Sequence, residues 1–177
     1  MDEARLRQLL QRLADGRESV DSAVQALRDL PFEDLGFARV DGHRAIRCGF
    51  PEVIFCPGKT TSDTLAIAER LAAHGGSLLA TRVPPETAQA LAARFPGGVF
   101  NERARTFLLK RGSRPRPPGK IVILSAGTSD IPVAEEARVT AEAMDNDVIA
   151  LYDVGVAGIH RLLSHRQTIM SASVVVV

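Results

Sequence analysis

The sequence predicts an α/β protein, on three observations. Short contiguous apolar runs alternate with segments of helical periodicity: Val53-Ile54-Phe55, then a helix pattern near 61 to 74; Ser77 to Val83, then a helix from Pro84; Lys120 to Leu124, then a helix from Pro132. Glycine and proline fall at the junctions, at Gly58, Pro84, Gly97-Gly98 and Pro132. The composition, 45% hydrophobic and 24% charged over 177 residues, is enough to bury a core without disulfide or metal support.

Each element follows from local pattern. Leucines at 6, 9, 10 and 13 form a helical stripe that Gly16 ends. Ser19 is placed as an N-cap for a second helix carrying Val20, Ala23, Val24 and Leu27, closed by Pro31. Residues 1–35 thus make an amphipathic helical pair, a cap or subunit-contact element. The stretch from Leu35 to Arg44 mixes charge with aromatics and reads as loop. Pro51 to Phe55 reads as a buried strand, and Pro57-Gly58-Lys59-Thr60 as a turn. Val99-Phe100 and Thr106 to Leu109 add one or two strands. The order β-α-β-α-β over residues 36–111 favours a small parallel sheet with right-handed crossovers.

Residues 112–119, Gly-Ser-Arg-Pro-Arg-Pro-Pro-Gly, are a linker by composition. It is basic: Arg103, Arg105, Lys110, Arg111, Arg114, Arg116 and Lys120 face one acid, Glu102, whereas residues 121–177 hold seven acids and three bases. This is a solvated linker or an arm toward a phosphate-bearing ligand or an acidic surface. A second β-α-β follows in 120–177: strand Lys120 to Leu124, helix Pro132 to Ala143, strand Asp147 to Tyr152, helix Gly158 to Gln167. Ser173 to Val177 begins a third strand with no turn or helix after it. Parallel strands this apolar are normally buried on both faces, so the segment reads as a domain cut short of its complete sheet. An exposed apolar strand of this kind invites edge pairing.

Several classes are excluded. A net charge of +1 gives no case for nucleic acid, and the scarcity of lysine (59, 110 and 120) beside many arginines reflects composition bias. Cys48 and Cys56 match no zinc or redox spacing and read as reduced thiols. The charged start is not a signal peptide, and no apolar run is long enough to span a bilayer. A cytoplasmic protein is expected.

The clearest chemical feature is Ser125-Ala126-Gly127-Thr128-Ser129-Asp130, which joins an apolar strand to a helix opened by Pro132. In a parallel α/β sheet this loop lies at the carboxyl edge, where ligands bind. Gly127 allows close backbone approach or a positive φ. The helix start offers free N–H groups suited to phosphate. Thr128 and Ser129 add hydroxyls, and Asp130 could hold a ribose hydroxyl or move a proton. Equally, Ser129 or Asp130 could simply cap the helix. Neither a G-x-G-x-x-G nor a GK[ST] loop is present here. The next strand ends in Asp153-Val154-Gly155-Val156-Ala157-Gly158-Ile159-His160-Arg161, on the same edge. Gly155, Ala157 and Gly158 leave room for a ligand. His160 is the histidine placed to act as acid or base, and Arg161 could fork onto phosphate or carboxylate; a surface pair is the alternative. Asp41-Gly42-His43-Arg44-Ala45-Ile46-Arg47 and Pro57-Gly58-Lys59-Thr60 are weaker nucleotide-contact candidates, each also an ordinary turn. His74 and His165 read as surface.

At these two loops the sequence resembles the C-terminal half of LarB, a family similar to PurE, the aminoimidazole ribonucleotide carboxylase/mutases. Asp34-Leu-Gly-Phe-Ala38, Asp41-Gly-His-Arg44, Gly49-Phe-Pro-Glu-Val-Ile54 and Gly58-Lys-Thr60 match LarB and not PurE, so the likeness runs from about Leu6 onward. It implies a small N-terminal helical/αβ region followed by the first part of a PurE-like, flavodoxin-like parallel three-layer α/β/α domain. It further implies a carboxylase/hydrolase that adds a carboxyl from carbon dioxide to the pyridinium ring of nicotinic acid adenine dinucleotide and releases AMP, in making the nickel-pincer nucleotide cofactor. Ser125, Gly127, Thr128, Ser129 and Asp130 would contact the ribose phosphate, with Ala157, Gly158, His160 and Arg161 closing around it; Asp130 and His160 are the catalytic candidates. No tightly bound cofactor is implied beyond Mg2+ carried with the dinucleotide, and no nucleic acid or membrane partner. Assembly would be homo-oligomeric, an octamer for the full-length family. The family's Met-Glu-Gly stretch and its later cysteine, which bonds transiently to the ring, have no counterpart in these residues, and covalent catalysis needs that nucleophile; the 177 residues alone are expected to be inactive. A nucleotide- or sugar-phosphate-binding regulatory module, like the circadian phase modifiers, and a PurE-like purine enzyme are the alternatives.

Overall fold

In a computed structural model, residues 3–28, 33–41, 44, 50–73, 75–112 and 115–177 are described. Gly42, His43, Arg47, Cys48, His74, Arg114 and the helix-closing Pro31 lie outside them.

Helices α1 (Glu3–Ala14) and α2 (Val20–Arg28) pack on each other. Leu9 and Ala23 are buried, and Ser19 caps α2, accepting from the Ser22 N–H at 3.0 Å. Two short strands pair, β1 (Glu33–Asp34) just before the stretch read as loop and β2 (Arg39–Val40) within it. The turn between them is closed by the Asp34 carboxylate on the Gly36 N–H at 2.8 Å, a local bond that the mixed composition concealed.

The first main sheet holds β3 (Val53–Phe55), β4 (Leu78–Thr81), β5 (Val99–Asn101) and β6 (Thr106–Leu109), in the order β3-β4-β6-β5. Helices α3 (Thr61–Ala73) and α4 (Pro85–Arg94) pack together and help cover it. Only β3 and β4 are parallel; β6 runs antiparallel to both β4 and β5. The expected all-parallel sheet is therefore corrected to a mixed one. The reason is loop length: four residues, Glu102 to Arg105, join β5 to β6, room for a hairpin but not for a crossover. The core lies here, around Ile54, Ala68, Leu71, Leu78, Val83, Leu91 and Phe107. Gly98 is part of that packing, because a Cβ there would meet the Phe107 ring at 2.1 Å.

The second sheet comprises β7 (Lys120–Leu124), β8 (Asp147–Leu151) and β9 (Val174–Val176), all parallel, in the order β8-β7-β9. Second-first-third is the order with which flavodoxin-like sheets begin. Helix α5 (Ile131–Ala143) joins β7 to β8. The helix expected over 158 to 167 is two short ones, α6 (Ile159–Ser164) and α7 (Arg166–Met170), broken at His165.

Helix α5 packs on β7 and β8 and also on β4 and β6, so it lies between the two sheets. Its start faces the carboxyl end of β4 and its end faces the carboxyl end of β6. Arg82 pairs with Glu136 at 3.4 Å near the start, and Lys110 with Asp145 at 2.6 Å at the end. The basic excess before β7 is thus partly spent on the acidic helix behind it.

Candidate functional site

The loop after β7 and the loop after β8 are bonded side by side. Ser125 N–H donates to Leu151 O at 3.1 Å, Val154 N–H to Ser125 O at 3.0 Å, and Gly155 N–H to Ala126 O at 3.0 Å. The contact requires glycine at 155 through space rather than φ. The φ of Gly155 is an ordinary −64°, but a Cβ would stand 2.7 Å from the Ala126 carbonyl oxygen.

Each loop ends in a short 3-10 turn, Thr128–Asp130 and Val156–Gly158, leading into α5 and α6. The first N–H groups of such turns have no partner within the turn. Among the described residues, none accepts from the amides of Thr128, Ser129, Val156 or Ala157. Beneath them Ser125, 5% exposed, has a hydroxyl without a hydrogen-bond partner. Ser125 directly follows β7, whose neighbours β8 and β9 lie on opposite sides. It therefore sits at the switch point where ligands of open parallel sheets bind.

The other predicted residues divide. Gly127 has an extended φ of −134°, and a Cβ on it would meet nothing closer than 3.8 Å. What it contributes is open space, not a left-handed turn. Thr128, Ser129 and Ala157 are exposed at the loop tips. Asp130 caps: its carboxylate accepts the Gly127 N–H at 2.9 Å and faces the Ser129 hydroxyl at 3.4 Å. His160 is exposed in the first turn of α6, with no partner among the described residues. Arg161 is tied back to Asp153, which holds a left-handed φ of 57°. Its guanidinium lies over Gly158, where a Cβ would meet Nε at 2.6 Å.

The weaker candidates are used locally. Lys59 Nζ donates to Phe55 O at 2.7 Å, and Thr60 and Asp63 form a reciprocal cap at the start of α3, with Asp63 N–H to Thr60 Oγ1 at 3.1 Å and Thr60 N–H to Asp63 Oδ2 at 3.3 Å. A carboxylate already occupies that helix start. The Asp41 N–H donates to Glu52 at 2.6 Å, and Arg44 is exposed. Cys56 is 1% exposed, and burial pushes its thiol up, against smaller opposing effects of Thr64 and Lys59. Among the described residues no three His, Cys, Asp or Glu side chains group so as to hold a metal ion, and no helix is long and apolar enough to cross a membrane.

One cluster escaped sequence reading. Glu135, 8% exposed on α5, accepts from Arg138 Nε at 2.7 Å and Nη2 at 2.8 Å, from the Tyr152 hydroxyl, and from Asn101 Nδ2 at 3.4 Å. Arg138 also pairs with Glu142 at 2.7 Å. The Arg138 guanidinium above all, then Tyr152 and Asn101, outweigh burial and hold the Glu135 carboxyl down to about 2. Burial first, then Glu135, push the Tyr152 hydroxyl up. The spacing 135, 138, 142 marks one helix face, but nothing local tells that the face is covered.

A family model for the LarB/PurE-like N-terminal domain matches residues 32–111, ending where the basic linker begins. An uncharacterized protein of Methanocaldococcus jannaschii is 35% identical over 166 residues, which cover 89% of this chain and 64% of that protein. The chain thus spans less than two thirds of that relative's length. The domain match relates the chain to the PurE-like carboxylases. Residues 32–111 are thus similar to the LarB/PurE-like N-terminal domain, and the second-first-third strand order of the second sheet agrees with a PurE-like, flavodoxin-like α/β fold.

Proposed function

We propose that the chain is part of a LarB-type carboxylase/hydrolase whose two carboxyl-edge loops hold the ribose phosphate of nicotinic acid adenine dinucleotide. In this reading carbon dioxide replaces a proton on a carbon of the pyridinium ring, that proton passing to a base, while water cleaves the phosphoanhydride and AMP leaves. The observation that carries the reading is the side-by-side bonding of two loops whose amides at Thr128-Ser129 and Val156-Ala157 have no acceptor among the described residues, next to the buried, unpartnered hydroxyl of Ser125. Backbone N–H groups at helix starts bind phosphate without a lysine. Ser125, Gly127, Thr128, Ser129, Ala157 and Gly158 line the cradle. Arg161 would exchange Asp153 for the phosphate, and Asp130 would exchange the Gly127 N–H for a ribose hydroxyl. His160, without a partner among the described residues and on the same edge, is the group placed to carry a proton. No resident metal is assigned; Mg2+ would arrive on the dinucleotide.

One observation favours the binding-module reading instead: Asp130 and Arg161 are both engaged within the protein, which suits binding without chemistry. An amide NMR titration of the 177-residue chain with the dinucleotide, AMP and inorganic phosphate tests the shared step. The amides of residues 128, 129, 156 and 157 should move together, and saturation at about a hundredfold over Kd should add about 2.7 kcal/mol of stability. No movement with any of the three ligands would remove the cradle. Binding by the full-length protein with no carbon dioxide incorporation would leave only the module.

A further inference from the structure

We infer that Glu135 is a positioning residue, coupling the N-terminal sheet to the β8 loop of the cradle through Asn101 on one side and Tyr152 on the other. Asn101 ends β5 in the first sheet, and Tyr152 follows β8 in the second, one residue before the Asp153–Gly158 loop. Both donate to the same carboxylate, Asn101 at 3.4 Å and the Tyr152 hydroxyl at shorter range. Arg138 grips that carboxylate through two nitrogens and is held in turn by Glu142, so the acceptor has little freedom. Asn101 is fixed by its own turn, since its Oδ1 accepts the Ala104 N–H at 2.9 Å. A chain of directed bonds therefore runs from the β5–β6 turn, through α5, to the residue from which the ligand loop departs. The second inter-sheet contact near the start of α5, Arg82 with Glu136, is long and half-exposed and does not reach the loop. The third, Lys110 with Asp145, lies at the far end of the helix. The Asn101–Glu135–Tyr152 line is the route by which the N-terminal sheet can set the shape of the cradle.

Two nearly isosteric substitutions cut this line without opening a cavity. Asn101→Asp keeps the Oδ1 acceptor for Ala104 and turns the donor facing Glu135 into an oxygen. Tyr152→Phe removes one hydroxyl. Lys110→Ala is the control, since it breaks an inter-sheet bond remote from the loop. Hydrogen exchange at the bonded amides of Val154, Gly155 and Gly158 should quicken in both test variants by about three- to tenfold, the range expected of coupling through packed groups. Exchange at Phe107 in the core and all exchange in Lys110→Ala should stay at wild-type rates. Equal quickening in all three variants, or in none, overturns the inference. Dinucleotide affinity is the second readout, and it alone rests on the proposed function: it should fall by the same factor in Asn101→Asp and Tyr152→Phe. If wild type binds no ligand while the exchange pattern holds, the functional reading fails and the coupling stands. If wild type and both variants bind alike with unchanged exchange, the coupling fails and the functional reading stands.

Discussion

At the scale of single residues, the two glycines of the second loop should respond differently to the same methyl group. At Gly155 the methyl would meet backbone, the Ala126 carbonyl oxygen at 2.7 Å, and backbone cannot swing aside. Gly155→Ala must push the two loops apart, at about 1–3 kcal/mol, typical of overpacking. At Gly158 the methyl would meet the end of the flexible Arg161 side chain, which can move at small cost. Thermal melts of the two variants should rank Gly155→Ala well below Gly158→Ala, and phosphate binding should follow the same order. Equal melts would mean that the loops are not held by the Gly155–Ala126 contact. Cys56 makes a separate prediction. A thiol 1% exposed and pushed up by burial is a poor nucleophile, so iodoacetamide should leave it unmodified in the native chain and label it quickly in urea. Rapid native labelling would show instead that the Cys56 thiol is accessible and reactive.

At the scale of elements, α5 carries both the start of the cradle and the bridge between sheets, and its polar face gives a pH signature. Glu135 has a folded-state value of about 2, below the ordinary 4.5, so its stabilisation is complete above the ordinary value and is lost as pH falls through about 2. Tyr152 is shifted the other way, above 10, so its contribution is complete below 10 and disappears as pH rises through the folded value. Wild type should therefore be flat in stability from about pH 5 to pH 9 with respect to this pair. Tyr152→Phe should remove part of the alkaline loss, and Glu135→Gln part of the acid loss. Urea titrations at acid, neutral and alkaline pH measure this; parallel pH curves for all three proteins would show that the pair is not coupled to folding. The elements themselves were largely legible. Ser19 as a cap, Pro84 before α4 and the apolar strand before Gly127 are local signals, and local signals survive in sequence. The break at His165 was not, because α6 and α7 carry no glycine or proline where they part.

At the scale of the whole molecule, sequence reading reached the side-by-side loops but missed the mixed sheet and the buried carboxylate. Both misses have one cause. The pairing of β6 with β4, and the covering of Glu135 by Asn101 and Tyr152, are long-range facts that no window of neighbouring residues contains. The loops succeeded because a parallel strand-helix-strand unit fixes their edge in advance. The same unit leaves a final consequence. Among the described residues β9 pairs only with β7, and Val174, Val175 and Val176 are 50%, 42% and 40% exposed. Leu163 and Met170, on α6 and α7, add further exposed apolar surface. An unpaired apolar strand edge is a template for another strand, and surface of this kind favours association in water. The 177-residue chain should therefore sediment as a concentration-dependent mixture of monomer and larger species. Val175→Lys, placing a charge in the middle of the edge strand, should shift it to monomer while leaving the melting of the first sheet, which lies on the other side of α5, unchanged. A wild-type chain that stays monomeric at high micromolar concentration would show that the valine edge is not adhesive.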